Sequence, residues 1–300
     1  KFPLLIADWL APEQLTELER LEVSGIDLNG NGVIVVPGKF FVARTGAPNK
    51  YRESVPLRNP YRGESAMVAR VFLLRPEFPK VEDVWREIQA RGGRLSLASV
   101  SKALKVLDDD LMITRREKIL RILQPDRLLD RLVLEYRAPT VTKRWLGRVE
   151  VDDDLNKLTR MVVARAEDQT DWTTSAPTSE DRSQISLVLT GESSSARYAV
   201  PFQREPVVRF YCAWDMKKIL DELATKTAVE ETRRFTNLEL FEVESEWQFF
   251  DARRGQGFAS RIWASPLQTY LELATGDQRQ RDSGATLRKL AIQKGWNFSA

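Results

Sequence analysis

The chain contains no histidine and a single cysteine, Cys212. Ser-His and Cys-His nucleophile pairs, histidine general bases and His- or Cys-based zinc sites are therefore excluded. What remains for catalysis is carboxylates holding a hard cation, or Ser, Lys and Tyr. Two stretches have the residue types for carboxylate–metal chemistry. In "GIDLNGNGVIVVPGKFFV", Asp27 and Lys39 fall on successive strands, as in nucleases that hold Mg²⁺ with an Asp and a following acid-x-Lys. The position two before Lys39 is Pro37, which has no ligating side chain, so the site reads as degenerate. A structural acid at the Asn29-Gly30-Asn31-Gly32 turn is the simpler reading of Asp27. In "LVLTGESSSARYAV", a strand, a Gly-Ser turn and a helix resemble the opening of a nucleotidyltransferase. The next strand ends in Asp215 without a carboxylate at the one-apart spacing that two metals need, and Glu239, Glu242, Glu244 and Glu246 come only later. Glu242, Glu244 and Glu246 are expected to share one strand face, most simply a solvated one. Ser193, Ser194 and Ser195 read as a helix start rather than as nucleophiles.

A third stretch offers binding rather than catalysis. "SLASVSKALKVLDDDLMITRREKILRI" begins small and polar, becomes amphipathic, meets Asp108, Asp109 and Asp110, and ends in basic alternation. Ser96, Ser99 and Ser101, extended by Lys102 and Lys105, suit a helix whose N-terminal end approaches phosphates and base edges. Leu97, Val100, Leu104 and Leu107 have helical spacing for packing. Arg115, Arg116 and Lys118 suit the tip of a hairpin that touches the DNA backbone. The aspartates are expected in the turn between helix and hairpin, facing away from phosphate.

The elements around these residues fall into three blocks. Residues 1–64 read as a small α/β region: a strand in "PLLIA", a helix in "APEQLTELERLEV" with Leu15, Leu18 and Leu21 on one face, then short strands broken by Asn-Gly and Pro-Gly turns. Residues 65–137 read as helix (Ser65 as cap), helix (Val81, Val84, Trp85 and Ile88 on one face, stopped by Gly92-Gly93), helix, basic hairpin and closing helix, which is the order of a winged helix-turn-helix. Residues 138–300 read as a C-terminal α/β domain with strands at "ISLVL", "VVRFYCAWD", "NLELFEVES" and "WQFFDARR", and two closing helices. "TKRWLGRVEV" and "LNKLTRMVVARAED" are ambiguous, and "DQTDWTTSAPTSEDRSQ" is the most loop-like tract. Trp85, Trp214 and Trp247 are read as core rather than as stacking platforms.

The net charge is +3, with 46 Lys+Arg against 43 Asp+Glu. Residues 1–150 carry 26 basic against 20 acidic side chains, so the basic surplus lies with the hairpin-bearing half. No apolar run is long enough to span a membrane and the opening residues lack a signal-peptide core, so a cytoplasmic protein with no membrane partner is expected.

The chain resembles the AbiEi-like antitoxin and transcriptional-regulator family of bacterial type IV toxin–antitoxin systems. The likeness rests on "LLIADWLAPEQLTELERLEVSGIDLNGNGVIVV", "SLASVSKALKVLDDDLMI", "LTGESSSARYA" and "SPLQTYLEL", in that order. It implies a winged-helix repressor of a toxin operon, with Ser96 to Val106 as recognition helix and about Ile113 to Ile122 as wing. The expectation is an α+β multidomain protein. It has a degenerate restriction-endonuclease-like N-terminal region, a central winged helix and a non-catalytic nucleotidyltransferase-like C-terminal domain. It binds double-stranded DNA without a cofactor, and a toxin protein and a second copy are its candidate partners. A Mg²⁺-dependent nuclease or nucleotidyltransferase is the alternative, and a protein-only adaptor a third.

Overall fold

The first strand, β1 (Leu4–Ala7), runs parallel to β2 (Ser24–Asp27), and the helix α1 (Pro12–Arg20) makes the crossover between them. The computed structural model describes residues 3–49, 59–116, 119–151, 155–167, 187–198, 200, 207–213, 216–245, 247–254 and 262–298. Antiparallel hairpins add β3 (Gly32–Val36) and β4 (Phe40–Arg44), giving the sheet order β1-β2-β3-β4. Pro12 fits the first turn of α1, where its missing N–H is not needed, and Gln14 reaches back to the Ala11 N–H at 2.9 Å. The core of this unit is small, centred on Leu10, Leu15 and Val33. Leu21, expected on the packed face of α1, lies past the end of the helix and is 53% exposed.

The central unit begins with a single 3₁₀ turn, Gly63–Ser65, followed by α2 (Ala66–Leu74). Ser65 is helical itself and makes no side-chain capping bond, so the expected cap is replaced by that 3₁₀ turn. A two-residue strand, β5 (Glu77–Phe78), precedes α3 (Val81–Ala90) and α4 (Leu97–Asp109). The hairpin β6 (Ile113–Arg116) and β7 (Ile119–Ile122) follows, and α5 (Pro125–Glu135) closes the unit. The strands pair in the order β5-β7-β6. Phe72, Phe78, Ile88, Leu104, Leu107 and Ile113 are fully buried where the three helices meet this sheet.

The C-terminal part is a seven-stranded mixed sheet in the order β11-β8-β12-β10-β9-β14-β13. Its members are β8 (Val141–Val149), β9 (Leu187–Leu189), β10 (Val208–Cys212), β11 (Val229–Glu231), β12 (Leu238–Val243), β13 (Arg253–Arg254) and β14 (Ile262–Trp263). The ambiguous "LNKLTRMVVARAED" is helical: α6 (Leu155–Glu167). A short helix α7 (Gly191–Ser195) follows β9, and α8 (Met216–Lys226) connects the parallel strands β10 and β12. The closing helices α9 (Pro266–Ala274) and α10 (Gln278–Lys294) start at side-chain caps, Ser265 accepting from the Gln268 N–H and Asp277 from the Gln280 N–H. Cys212 ends β10, fully buried between β9 and β12. Its thiol donates to the Phe241 carbonyl at 3.5 Å, and burial pushes its pKa up to about 12. "WQFFDARR" is not a single strand: a 3₁₀ turn, Trp247–Phe249, precedes the two-residue β13, so Trp247 sits in a turn.

One apolar cluster runs from the central unit into the C-terminal sheet, from Phe72 and Leu132 to Phe210 and Leu240. Polar contacts cross the same boundary. Arg91 pairs with Asp251 at 2.7 Å, and Arg288 reaches Asp126 and Asp130, each at 3.3 Å. The fold is thus a mixed α+β arrangement. Among the described residues no helix is long and apolar enough to cross a membrane.

Candidate nucleic-acid interface

The N-terminal end of α4 is set by Ser96, whose hydroxyl accepts from the Ser99 N–H at 3.1 Å and lies 2.9 Å from the Ser99 hydroxyl. Capping satisfies one of the free N–H groups of the first turn and fixes the direction in which the helix emerges. Val100, Ala103, Leu104 and Leu107 form the packed side, all at most 1% exposed. Leu97 is not part of it: at 40% exposure it points outward with Ser101, Lys102 and Lys105. Alanine at 103 takes the packing position that the spacing gave to Leu97. The free side of α4 therefore presents hydroxyls, two ammonium groups and one leucine over its first two turns.

The hairpin pairs Arg115 with Leu120 and Arg116 with Ile119. Ile113 and Leu120 point into the core, whereas Arg115 and Arg116 are exposed. Lys118 lies outside the described residues. A further hairpin cation, Arg121, is held by Glu77 at 2.7 Å across β5 and β7, which leaves it less available to an outside anion.

The aspartate run differs from its expected position. Asp108 and Asp109 form the last turn of α4, and Asp110 is its C-cap. The helix ends in a Schellman arrangement: the Met112 N–H donates to the Leu107 carbonyl at 2.8 Å and the Leu111 N–H to the Asp108 carbonyl at 3.0 Å. Leu111 occupies the left-handed position, φ 58°, that glycine usually takes. Asp110 is turned away from solvent and accepts from the Tyr61 hydroxyl at 2.5 Å, with the Arg131 guanidinium 5.4 Å from the Tyr61 ring. Asp108 is exposed, and burial of its carboxyl raises its pKa while Arg115 nearby opposes the rise.

Burial, with Asp108 and Asp110 adding repulsion, pushes the Asp109 pKa up to about 6 against attraction from Lys105. Its charge also sits at the negative end of the α4 dipole. A carboxylate with a folded-state pKa above 3.8 favours the fold below that value and loses the contribution as pH rises through about 6. Asp109→Asn is therefore expected to be more stable than the parent at pH 8, by about 1 kcal/mol after allowing for solvent screening. The gap should close by pH 4. Paired denaturant melts at the two pH values check this, and an equal gap at both would reject it.

Comparison with family models, characterised proteins and solved structures returns no match.

The acids considered for metal chemistry have other partners. Asp27 is buried and accepts from the backbone N–H groups of Leu10, Asn29 and Asn31 and from the Asn31 amide, at 2.8–3.1 Å, which holds its pKa below the usual carboxylate range despite burial. Lys39 is exposed in the β3–β4 turn, at the opposite end of β3 from Asp27. Five strand residues separate these ends by about 17 Å, too far for the Lys39 ammonium to act beside a cation on Asp27. Glu239 pairs with Arg209 at 2.5 Å and Glu242 with Lys143 at 2.9 Å. β12 ends at Val243, so Glu244 lies past the strand and does not share a strand face with Glu242. Asp215, Trp214 and Glu246 lie outside the described residues. Among the described residues no three His, Cys, Asp or Glu side chains are grouped to hold a metal. The hydroxyls of Ser193, Ser194 and Ser195 donate to the carbonyls of Val207, Ala264 and Glu192, so each has a structural partner.

One residue escaped the sequence reading. Arg70 sits in the middle of α2, 3% exposed, with Trp247 5.4 Å beneath it. Its Nη1 donates to Gln268 Oε1 at 2.8 Å. The Gln268 amide in turn donates to Glu272 at 2.6 Å and to the Tyr136 hydroxyl at 3.1 Å. The signal was available: "AMVARVFLL" is apolar all round except for one arginine, and such a charge must find partners inside.

Proposed function

We propose that residues 65–137 form a winged helix-turn-helix that binds duplex DNA, and that the chain is a transcriptional regulator. The observation that carries this reading is the pairing of two exposed basic elements: the free face of α4 with Ser101, Lys102 and Lys105, and the hairpin with Arg115 and Arg116. In this reading α4 enters the major groove N-terminal end first, and Ser96 and Ser99 meet the backbone near its entry. Lys102 and Lys105 neutralise phosphates, and the exposed Leu97 suits contact with a thymine methyl. The wing, with Arg115 and Arg116, touches the flanking backbone. Asp110, tied to Tyr61 and Arg131, is held out of the groove, and Asp108 lies beside Arg115.

The resemblance to AbiEi-like antitoxins makes repression of an operon encoding a toxin protein the specific form of this proposal. A second copy reading a second half-site belongs to the same reading. The flanking α/β parts serve as restriction-endonuclease-like and nucleotidyltransferase-like scaffolds without catalysis. Selection from sheared genomic fragments, with and without Mg²⁺, tests it. The expected result is enrichment of one duplex sequence, intact in both arms. Retention of no duplex at low salt would reject DNA binding, and Mg²⁺-dependent cleavage would favour the nuclease alternative.

A further inference from the structure

A cleft of about 210 Å³ opens on the C-terminal domain where the central unit hands the chain over. Tyr136, the residue that ends α5, forms one wall, and Arg209 and Tyr211 of β10 form another. Thr190 and Gly191, where β9 turns into α7, and Glu272 of α9 line it. Two charges of opposite sign face this space.

Arg209 is held in place before any ligand arrives. Its Nε donates to Glu239, and its guanidinium lies 5.7 Å from the Phe241 ring. Its Nη1 is directed towards Gly191, 3.7 Å from where a β-carbon at that residue would stand. Gly191 has φ 56°, so the left-handed turn beside the guanidinium calls for glycine. A guanidinium fixed through one edge and one face is preorganised to take a phosphate or carboxylate with its remaining N–H groups. Glu272 supplies the complementary feature. Its Oε2 accepts from the Thr190 hydroxyl and from the Gly191 N–H, whereas Oε1 accepts from the Gln268 amide at 2.6 Å. A carboxylate oxygen accepts more than one bond, so Oε1 can take a donor from a ligand.

We infer that this cleft binds a small organic anion that also carries an amino or amide N–H donor, the anion on Arg209 and the donor on Glu272. Occupancy reaches the central unit through one side chain. Gln268 joins Glu272 and Tyr136, both in the cleft, to Arg70 inside α2. A ligand that draws Glu272 away from Gln268 alters the only hydrogen bond described for the Arg70 guanidinium, and with it the seat of the helices that carry α4. The ligand is therefore an effector of DNA affinity, and this last clause alone rests on the DNA-binding reading.

Two probe sets separate the sources of such chemistry: the four 5′-ribonucleoside monophosphates, and the twenty amino acids. Thermal unfolding of the full chain, without DNA, is expected to rise saturably with a member of one set. Inorganic phosphate, which has no N–H donor and does not extend from Arg209 to Glu272, should give no saturable rise. Arg209→Gln should weaken the effect at least tenfold. Because Arg209 also pairs with Glu239, a second variant is needed: Ala138→Trp, at an exposed lining position, should block the cleft and leave duplex binding intact. No saturable rise with either set, or a rise that both variants leave unchanged, overturns the site. With the ligand present, duplex affinity should change about tenfold. Ligand binding with unchanged duplex affinity overturns the coupling alone, and absence of duplex binding in every arm overturns the DNA reading while the ligand titration stands.

Discussion

Replacing Arg115 and Arg116 together with alanine is expected to weaken duplex binding about 30-fold at 0.15 M salt. Each phosphate contact contributes about −0.9 to the slope of log affinity against log salt, so two lost contacts flatten the slope by about 1.8. Carried from 1 M to about 0.15 M salt, that slope corresponds to the 30-fold figure. Both side chains are exposed on β6, and the apolar residues of the hairpin, Ile113 and Leu120, stay in place. Folding stability should therefore change by less than about 0.5 kcal/mol. Arg121→Ala is the internal control, because that guanidinium is engaged by Glu77. It should change the slope by much less than one contact. Fluorescence anisotropy of one labelled duplex across a salt series measures all three proteins. A double variant with the parental slope would remove the hairpin from the interface.

Arg70→Ala is expected to cost about 3–5 kcal/mol of folding stability. The substitution removes a buried guanidinium and leaves the Gln268 Oε1 acceptor without its donor in a site that water does not reach. It also leaves a void against Trp247, which the Arg70 side chain now covers. Arg70→Met separates the two causes. It fills most of the space but donates nothing, so its cost should fall to the 1–3 kcal/mol range of an unpaired buried acceptor. Urea unfolding of the parent and both variants checks the ranking. Equal stability of Arg70→Ala and the parent would mean that this contact does not hold the central and C-terminal parts together.

Elements with a long amphipathic period were legible in the sequence, and their reasons survive in the structure. The helices α3 and α4 turn to the core the residues that their spacing selects, Val81 and Trp85 partly buried and Leu97 alone pointing out, and the basic alternation after them forms a hairpin. What was hidden depends on contacts distant in sequence. The strands β5, β13 and β14 are two residues each, too short for any alternation to show, and exist because a neighbouring strand pairs with them. The end of α4 was misplaced because a Schellman turn normally announces itself with glycine, and here Leu111 takes the left-handed conformation. That conformation costs a non-glycine residue about 1–2 kcal/mol, and the buried Leu107 and Met112 on either side hold it. In the candidate interface, Ser101, Lys102, Lys105, Arg115 and Arg116 were readable as exposed polar positions. The attachment of Asp110 to Tyr61 was not, since 49 residues separate the two.

The lone cysteine turns the C-terminal sheet into its own clock. Cys212 lies between two hydrogen-bonded neighbours, and its proton leaves only near pH 12. A thiol-specific reagent reacts with the thiolate, so the intact sheet is almost inert to it. Each labelling event must follow a separation of β10 from β9 or β12, and one label per molecule leaves no ambiguity about where it happened. The labelling rate in native buffer, read by mass spectrometry, then gives the frequency at which the middle of this sheet comes apart.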